Sequence, residues 1–179
     1  MKIWLTADNH FFHENCIFGH SEWGFRKFKN VEEMNQTMID RWNEVVAEDD
    51  IVWHLGDFAL ANVYKIKEII SQLHGKIMVV CGNHDRANKL KRCGFTDVLK
   101  GVLYADFMYK GNKYQVALRH KPSPVKDVKY VLCGHSHEVW KVKKDETNIY
   151  INCGVDQWNY YPVALTDILD MIHKMESIE

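Results

Sequence analysis

Four short apolar runs rich in β-branched residues punctuate the chain at Ile3 to Ala7, Ile51 to Leu55, Ile77 to Cys81 and Tyr130 to Cys133. Each gives way at once to polar or glycine residues, the signature of buried strands bounded by turns. Between the first two, Val31, Met34, Met38, Trp42 and Val45 recur at helical spacing, and Asn30 with Glu33 three residues on resembles a capping box. A second helix is predicted from Asn62, with Val63, Ile66, Ile69, Ile70 and Leu73 on one face and Gly75 at its C′ position. Later stretches around Gly111-Asn112 and from Lys144 to Thr147 read as antiparallel hairpins. Ile168, Leu169, Ile172 and Met175 mark a last helix beginning after Thr166. Helix alternating with strand early and hairpins late predict an α/β protein with mixed sheets. The segment from Phe11 to Asn30 has no clear period and carries His13, Cys16, His20, Trp23, Arg26 and Lys27. Connections this long are usually functional or disordered, and its aromatic content favours order, so it is read as a loop or lid beside the end of the first strand.

A chain of 179 residues fits one domain, taken as residues 1–179. With 46% apolar and 26% charged residues, disordered and fibrous classes are excluded. Lysine and arginine total 23 against 24 acidic residues, so no global field draws the chain onto nucleic acid or a membrane. Any polyanion must be bound locally, and no long nucleic-acid track is expected. The opening Met1 to Ala7 is too short an apolar run for a signal peptide, and no later run could span a bilayer, which makes the cytoplasm the expected location. Five cysteines, an odd number without a C-x-x-C pair, argue against a disulfide framework or a zinc knuckle. Cys81, Cys133 and Cys153 end apolar stretches and are read as buried thiols.

Five clusters of metal-ligand residue types sit at or between the predicted strand ends: Asp8-Asn9-His10, Gly56-Asp57, Gly82-Asn83-His84-Asp85, His120, and Gly134-His135-Ser136-His137. Strand ends are where an α/β sheet gathers loops around one crevice. Residues two apart on an extended segment point the same way, so Asp8 and His10 can address one ion, while His135 and His137 can reach one centre or straddle two. Two divalent cations at the usual ~4 Å separation repel by roughly 20 kcal/mol at an effective dielectric near 20, so bridging anions are required. Asp57, the only carboxylate of its cluster, suits that role. A lone D-x-H or G-D carries little weight, because aspartates at strand ends often cap turns. All five clusters in this order are hard to obtain by accident. His54 is read as a core or supporting histidine, His74 and His173 as surface or helix-end residues.

D-x-H, G-D, G-N-H-D, a single histidine and G-H-x-H in this order resemble the calcineurin-like metallophosphoesterases from Asp8 to His137. The stretch Asn152-Cys153-Gly154-Val155-Asp156 is similar to the closing region of small bacterial and phage members. The resemblance implies a four-layer α/β/β/α sandwich of two mixed sheets flanked by helices. It further implies two divalent ions, manganese or iron with zinc or nickel as alternatives. Asp8, His10 and His137 would hold one, Asn83, His120 and His135 the other, and Asp57 would bridge. A metal-bridging hydroxide would attack phosphorus, and His84 and Asp85 become the catalytic candidates, His84 protonating the leaving oxygen with Asp85 as its partner. The expected activity is a dinuclear-metal-dependent phosphoesterase, with diesters ahead of monoesters and a small molecule or nucleotide as substrate. His13, Arg26, Arg86 and Lys121 are the candidate substrate contacts. The 11–30 loop and the Lys121-Pro122-Ser123-Pro124 turn are the expected specificity elements.

Two other functions fit parts of the pattern. A nuclease would draw on Arg86, Lys89, Lys91, Arg92, Arg119 and Lys121 near the clusters, although such residues are more often a solvated helix face. A non-catalytic scaffold that grips a partner protein would be favoured by loss of the general-acid histidine, and His84 is present.

Overall fold

In chain order the computed structural model, which describes residues 1–22 and 24–177, runs β1 (Ile3–Thr6), α1 (Val31–Val45), β2 (Ile51–His54), α2 (Val63–Ile70), β3 (Lys76–Val80), α3 (Ala87–Leu90) and β4 (Asp97–Leu99). There follow β5 (Leu103–Tyr109), β6 (Asn112–Leu118), β7 (Tyr130–Cys133), β8 (Val142–Lys144), β9 (Ile149–Asn152), β10 (Val163–Ala164) and α4 (Leu165–Glu176). Trp23 lies outside the described residues. None of the described helices is long and apolar enough to cross a membrane.

The strands form two mixed five-stranded sheets flanked by helices, in the orders β10-β1-β2-β3-β4 and β5-β6-β7-β9-β8. In the first, β1 to β4 are parallel and β10 is antiparallel to β1. In the second, β6, β7 and β9 are parallel, with β5 and β8 antiparallel at the edges. Alternation along each strand sorts its side chains into layers. Trp4, Val52, Ile77 and Val79 face Met34, Met38 and Trp42 of α1 and Ile66 of α2. Their neighbours Leu5, Leu55 and Val80 face Leu118, Leu132 and Ile151 of the second sheet, and Ile168, Leu169 and Ile172 of α4 join that layer. Val125 and Val128 cover Ala117, Val131 and Tyr150 beyond it. The sheets meet directly at one end, where Ala7 and Gly154 bridge and the Val155 amide donates to the Ala7 carbonyl at 3.0 Å.

Several expectations shift in detail. The Asn30 side chain caps α1 by accepting from the Glu33 amide at 2.8 Å, but Glu33 reaches back to the Lys29 amide, one residue before the cap. α2 stops at Ile70 rather than running on to Leu73, because Ser71 Oγ and Gln72 Nε2 both donate to the Glu68 carbonyl and close the last turn. Gly75 is therefore no C′ residue; its φ of +88° turns the chain into β3 instead. The hairpin at Gly111 turns through Lys110 and Gly111, both at positive φ, one residue earlier than the Gly-Asn pair suggested. α4 opens at Leu165, before Thr166. The strands β4 and β10, three and two residues long, had no apolar run of their own to announce them.

The 11–30 segment is ordered by its own contacts. Phe11 and Ile17 are fully buried, a one-turn helix spans Glu14–Cys16, and Ile17 bridges to Arg26. The Phe12 amide donates to Asn35 Oδ1 of α1 at 3.0 Å, pinning the base of the loop.

Candidate metal centre

All the parallel strands end on the same side of the molecule, and the residues that follow β1, β2, β3, β6 and β7 bring the five clusters to one crevice. Ligand-type atoms of Asp8, His10 and His137 lie within 4.8 Å of one another, and so do those of Asp57, His120 and His135. His135 and His137 thus fall into different groups. The convergence does not come from extended backbone, as the spacing suggested. Asp8, His10, Asp57, His135 and His137 have φ of 58°, 50°, 57°, 71° and 44°, half of the ten positive-φ non-glycine residues among those described. Each such residue costs on the order of 1–3 kcal/mol, which surrounding contacts must offset.

Those contacts are visible. The Asp8 amide donates to the Gly56 carbonyl at 2.9 Å and the His10 amide to the Asp57 carbonyl at 3.1 Å, lacing the first two clusters together. Asp8 Oδ2 accepts from the His135 amide at 2.8 Å, which ties the first sheet to the second. Gly134 and Gly154 lie so close to that carboxylate that a Cβ would come within 2.5 and 2.9 Å of Oδ2. Asp85 accepts from the amides of Asp57, Gly82 and Phe58 at 2.7, 2.9 and 3.3 Å. Its carboxylate is engaged by main-chain donors of the β2 and β3 turns, so it sits behind the loops that carry Asp57 and His84 and ties them together.

Asp57 lies between the two groups. Its Oδ2 is 3.7 Å from His10 Nε2 and 3.2 Å from His120 Nε2, while Oδ1 accepts from the His84 amide at 2.9 Å. His120 Nδ1 faces the Leu55 carbonyl at 2.9 Å, leaving Nε2 toward Asn83 Oδ1 at 3.0 Å. His137 Nδ1 is 3.0 Å from Asp156 Oδ2, which likewise leaves its Nε2 free.

The charge balance fits cations at this spot. Asp8 Oδ1 and His10 Nδ1 are buried without a hydrogen-bond partner, an arrangement proteins avoid unless something else satisfies the atoms. Burial pushes the Asp8 carboxyl up to about 6, only partly offset by His137 and His120. Burial, with Arg26 adding to it, holds His10 well below the usual imidazole range, so it offers a neutral ring. Burial also raises Asp57, but the hydrogen bond and charge of His120 outweigh it and keep that carboxyl well below the usual range.

Arg26 is placed otherwise than expected. Its side chain is fully buried, and its donors go to Asp156 at 2.8 and 2.9 Å, the Asn9 carbonyl at 2.8 Å and the Asp8 carbonyl at 2.5 Å. No substrate can reach it; it clamps the main chain of the D-x-H cluster and, through Asp156, orients His137. Arg86 is exposed at the entry to α3 and lines neither lobe of the crevice described below. His13 and Lys121 do line the crevice. His54, buried beneath, faces Asn9 Oδ1 at 2.9 Å and accepts from the Gly56 amide at 3.1 Å, with burial lowering it to about 3. Asp156, Asn152 and Phe25 were not singled out as site residues. The signal for the first two was their place on either side of Gly154, where the apolar run Ile149 to Ile151 gives way to polar and glycine residues as in the other clusters.

The crevice has two lobes. One, of about 420 Å³, is walled by His13, Cys16, Phe25, His84 and Val139. The other, of about 240 Å³, is walled by Cys81, Asn83, Arg119, His120 and Lys121.

With this geometry the comparisons agree. A protein of Methanocaldococcus jannaschii, itself uncharacterized, is 34% identical, covering 97% of this chain and 92% of its own length. The gene 66 protein of Mycobacterium phage L5 is 25% identical, covering 99% and 97%. A crystal structure of an Aquifex aeolicus protein of unknown function shares the fold, with a TM-score of 0.67 at 22% identity over 95% of this chain and 98% of that one. The calcineurin-like phosphoesterase superfamily domain matches residues 1–164. The chain therefore belongs to the calcineurin-like phosphoesterase superfamily, whose members are metal-dependent hydrolases of phosphate esters.

Proposed function

We propose that the protein is a dinuclear phosphodiesterase in which Asp8, His10 and His137 hold one divalent ion, Asn83, His120 and His135 the other, and Asp57 bridges. The observation that carries this reading is the position of Asp57 Oδ2, between a histidine of one group and a histidine of the other. Two such ions supply the Lewis acidity that makes water a nucleophile near neutral pH and offsets charge on the phosphoryl oxygens. Manganese or iron suits the mixed imidazole and oxygen donors, with zinc or nickel as alternatives.

His84 is the proton donor to the leaving oxygen. Its amide is anchored on Asp57 Oδ1, its side chain is exposed to the larger lobe, and its ring stands 5.4 Å from that of His10. His13, with its ring 6.2 Å from His84, contacts the substrate on the same side. The preference for diesters rests on the two lobes, which leave room for a substituent on either side of the reacting phosphorus. The five cysteines are free thiols, as a reducing compartment keeps them, and the cytoplasm is the assigned location.

The test is metal content together with metal-restored hydrolysis of bis(p-nitrophenyl) phosphate and p-nitrophenyl phosphate. Two metals per chain, faster turnover of the diester, loss of one or both metals in Asp57→Asn and a fall of about 10²-fold or more in kcat for His84→Ala are expected. Full turnover by Asp57→Asn would refute the assignment.

A further inference from the structure

The two lobes differ in character in a way that bears on which phosphate ester fits. The larger lobe presents the Phe25 ring, 4.9 Å from the His137 ring, and Val139, 73% exposed, with no lysine or arginine among its lining residues. The smaller lobe, on the side of Asn83 and His120, carries Arg119 and Lys121. Among the described residues no carboxylate pairs with either cation. Arg119 Nε is buried without an acceptor, and its Nη1 makes one long bond, 3.2 Å, to the Ser123 carbonyl. Asp85, on that side of the crevice, is already engaged by three backbone amides. The terminal nitrogens of this half-buried guanidinium, with no carboxylate on them and a lysine two residues on, are suited to a phosphate.

We propose that the smaller lobe binds a second phosphate covalently tied to the reacting one, so that the substrate class is a nucleotide-like ester bearing two phosphates, with its organic part on Phe25 and Val139. This rests on the phosphoesterase reading of the crevice. The second phosphate can be tied through a sugar or through an anhydride, and the two are separable by experiment.

Thymidine 5′-monophosphate, thymidine 3′,5′-bisphosphate and thymidine 5′-diphosphate are compared as competitive inhibitors of bis(p-nitrophenyl) phosphate hydrolysis at fixed free metal. The wild type is compared with Arg119→Gln and with Lys121→Gln, thermal unfolding confirming that each variant is folded. One of the two-phosphate nucleotides is expected to inhibit at least about tenfold more tightly than the monophosphate, as one charge-assisted contact supplies. Which of the two it is identifies the tether. The advantage, taken as the ratio of monophosphate to two-phosphate inhibition within each variant so that a general loss of binding cancels, falls to near unity in Arg119→Gln and shrinks in Lys121→Gln. Equal inhibition by all three nucleotides in the wild type, or an advantage that survives both substitutions, overturns the inference. If the diester is not hydrolysed at all, the catalytic reading has failed separately, and the same affinity ratios measured by calorimetry decide the second-phosphate site.

Discussion

Replacing Arg26 by methionine removes four charge-assisted hydrogen bonds from a side chain with no solvent exposure and leaves Asp156, whose side chain is 3% exposed, without its cation. Breaking a buried pair from one side costs about 3–5 kcal/mol, because the remaining charge stays buried. The two carbonyls left behind, of Asp8 and Asn9, would each add about 1 kcal/mol if they found no water, but the methionine stem keeps part of the packing, so about 4 kcal/mol is expected for Arg26→Met. For a domain of this size that lowers Tm by about 8–16 °C, read by calorimetry or by urea unfolding at pH 7. Arg26→Met with Asp156→Leu removes both charges, and stability should recover by about 2 kcal/mol relative to the single variant. Metal binding should not recover, since His137 has lost the carboxylate that orients it, a deficit of about 10–100-fold in affinity. A single variant that loses less than about 1 kcal/mol, or a double variant that regains metal affinity along with stability, would refute the clamp.

Three further outcomes follow from the same contacts. Asp50 is held down at about 2 by the amide of Lys2 and the indole of Trp4, so its stabilising effect is complete above pH ~4 and is lost as the pH falls towards 2. The difference in urea midpoint between wild type and Asp50→Ala should therefore shrink over that window; a constant difference would rule it out. Gly56 has a φ of +98° and its Cβ would lie 2.5 Å from the Gly82 amide nitrogen and 2.8 Å from His120 Nδ1, so Gly56→Ala should cost about 2 kcal/mol or more, measured by thermal unfolding. Adding manganese at about a thousandfold over its Kd should stabilise the metal-free protein by about 4 kcal/mol, and an unchanged Tm would mean that no site forms.

Much of this was legible in the chain. The strands that seat the ligands were found because β-branched runs end abruptly at Asp8, Gly56, Gly82 and Gly134, and the Met34, Met38, Trp42 face of α1 because its period is regular. What escaped has physical causes. β4 and β10 take their identity from pairing with Met78 to Val80 and with Trp4 and Leu5, a property of their partners rather than of their own residues. Arg26 reads as a substrate contact in the sequence because nothing local reveals that Asp156, 130 residues away, will neutralise it. The left-handed backbone at Asp8, His10, His135 and His137 was equally hidden, since spacing reports which residues are near and not how the chain turns between them.

The Ala7–Gly154 bridge, where the sheets touch, makes the crevice a seam. Asp8 and His10 come from one side of it and His137 from the other; Asp57 and Asn83 from one side, His120 and His135 from the other. Neither sheet alone is a complete chelator. In the proposed dinuclear centre the separation of the two ligand groups is then set by how Leu5, Leu55 and Val80 pack against Leu118, Leu132 and Ile151. A small slip in that dry layer would detune both half-sites together, so metal affinity becomes a gauge of packing in the interior between the sheets.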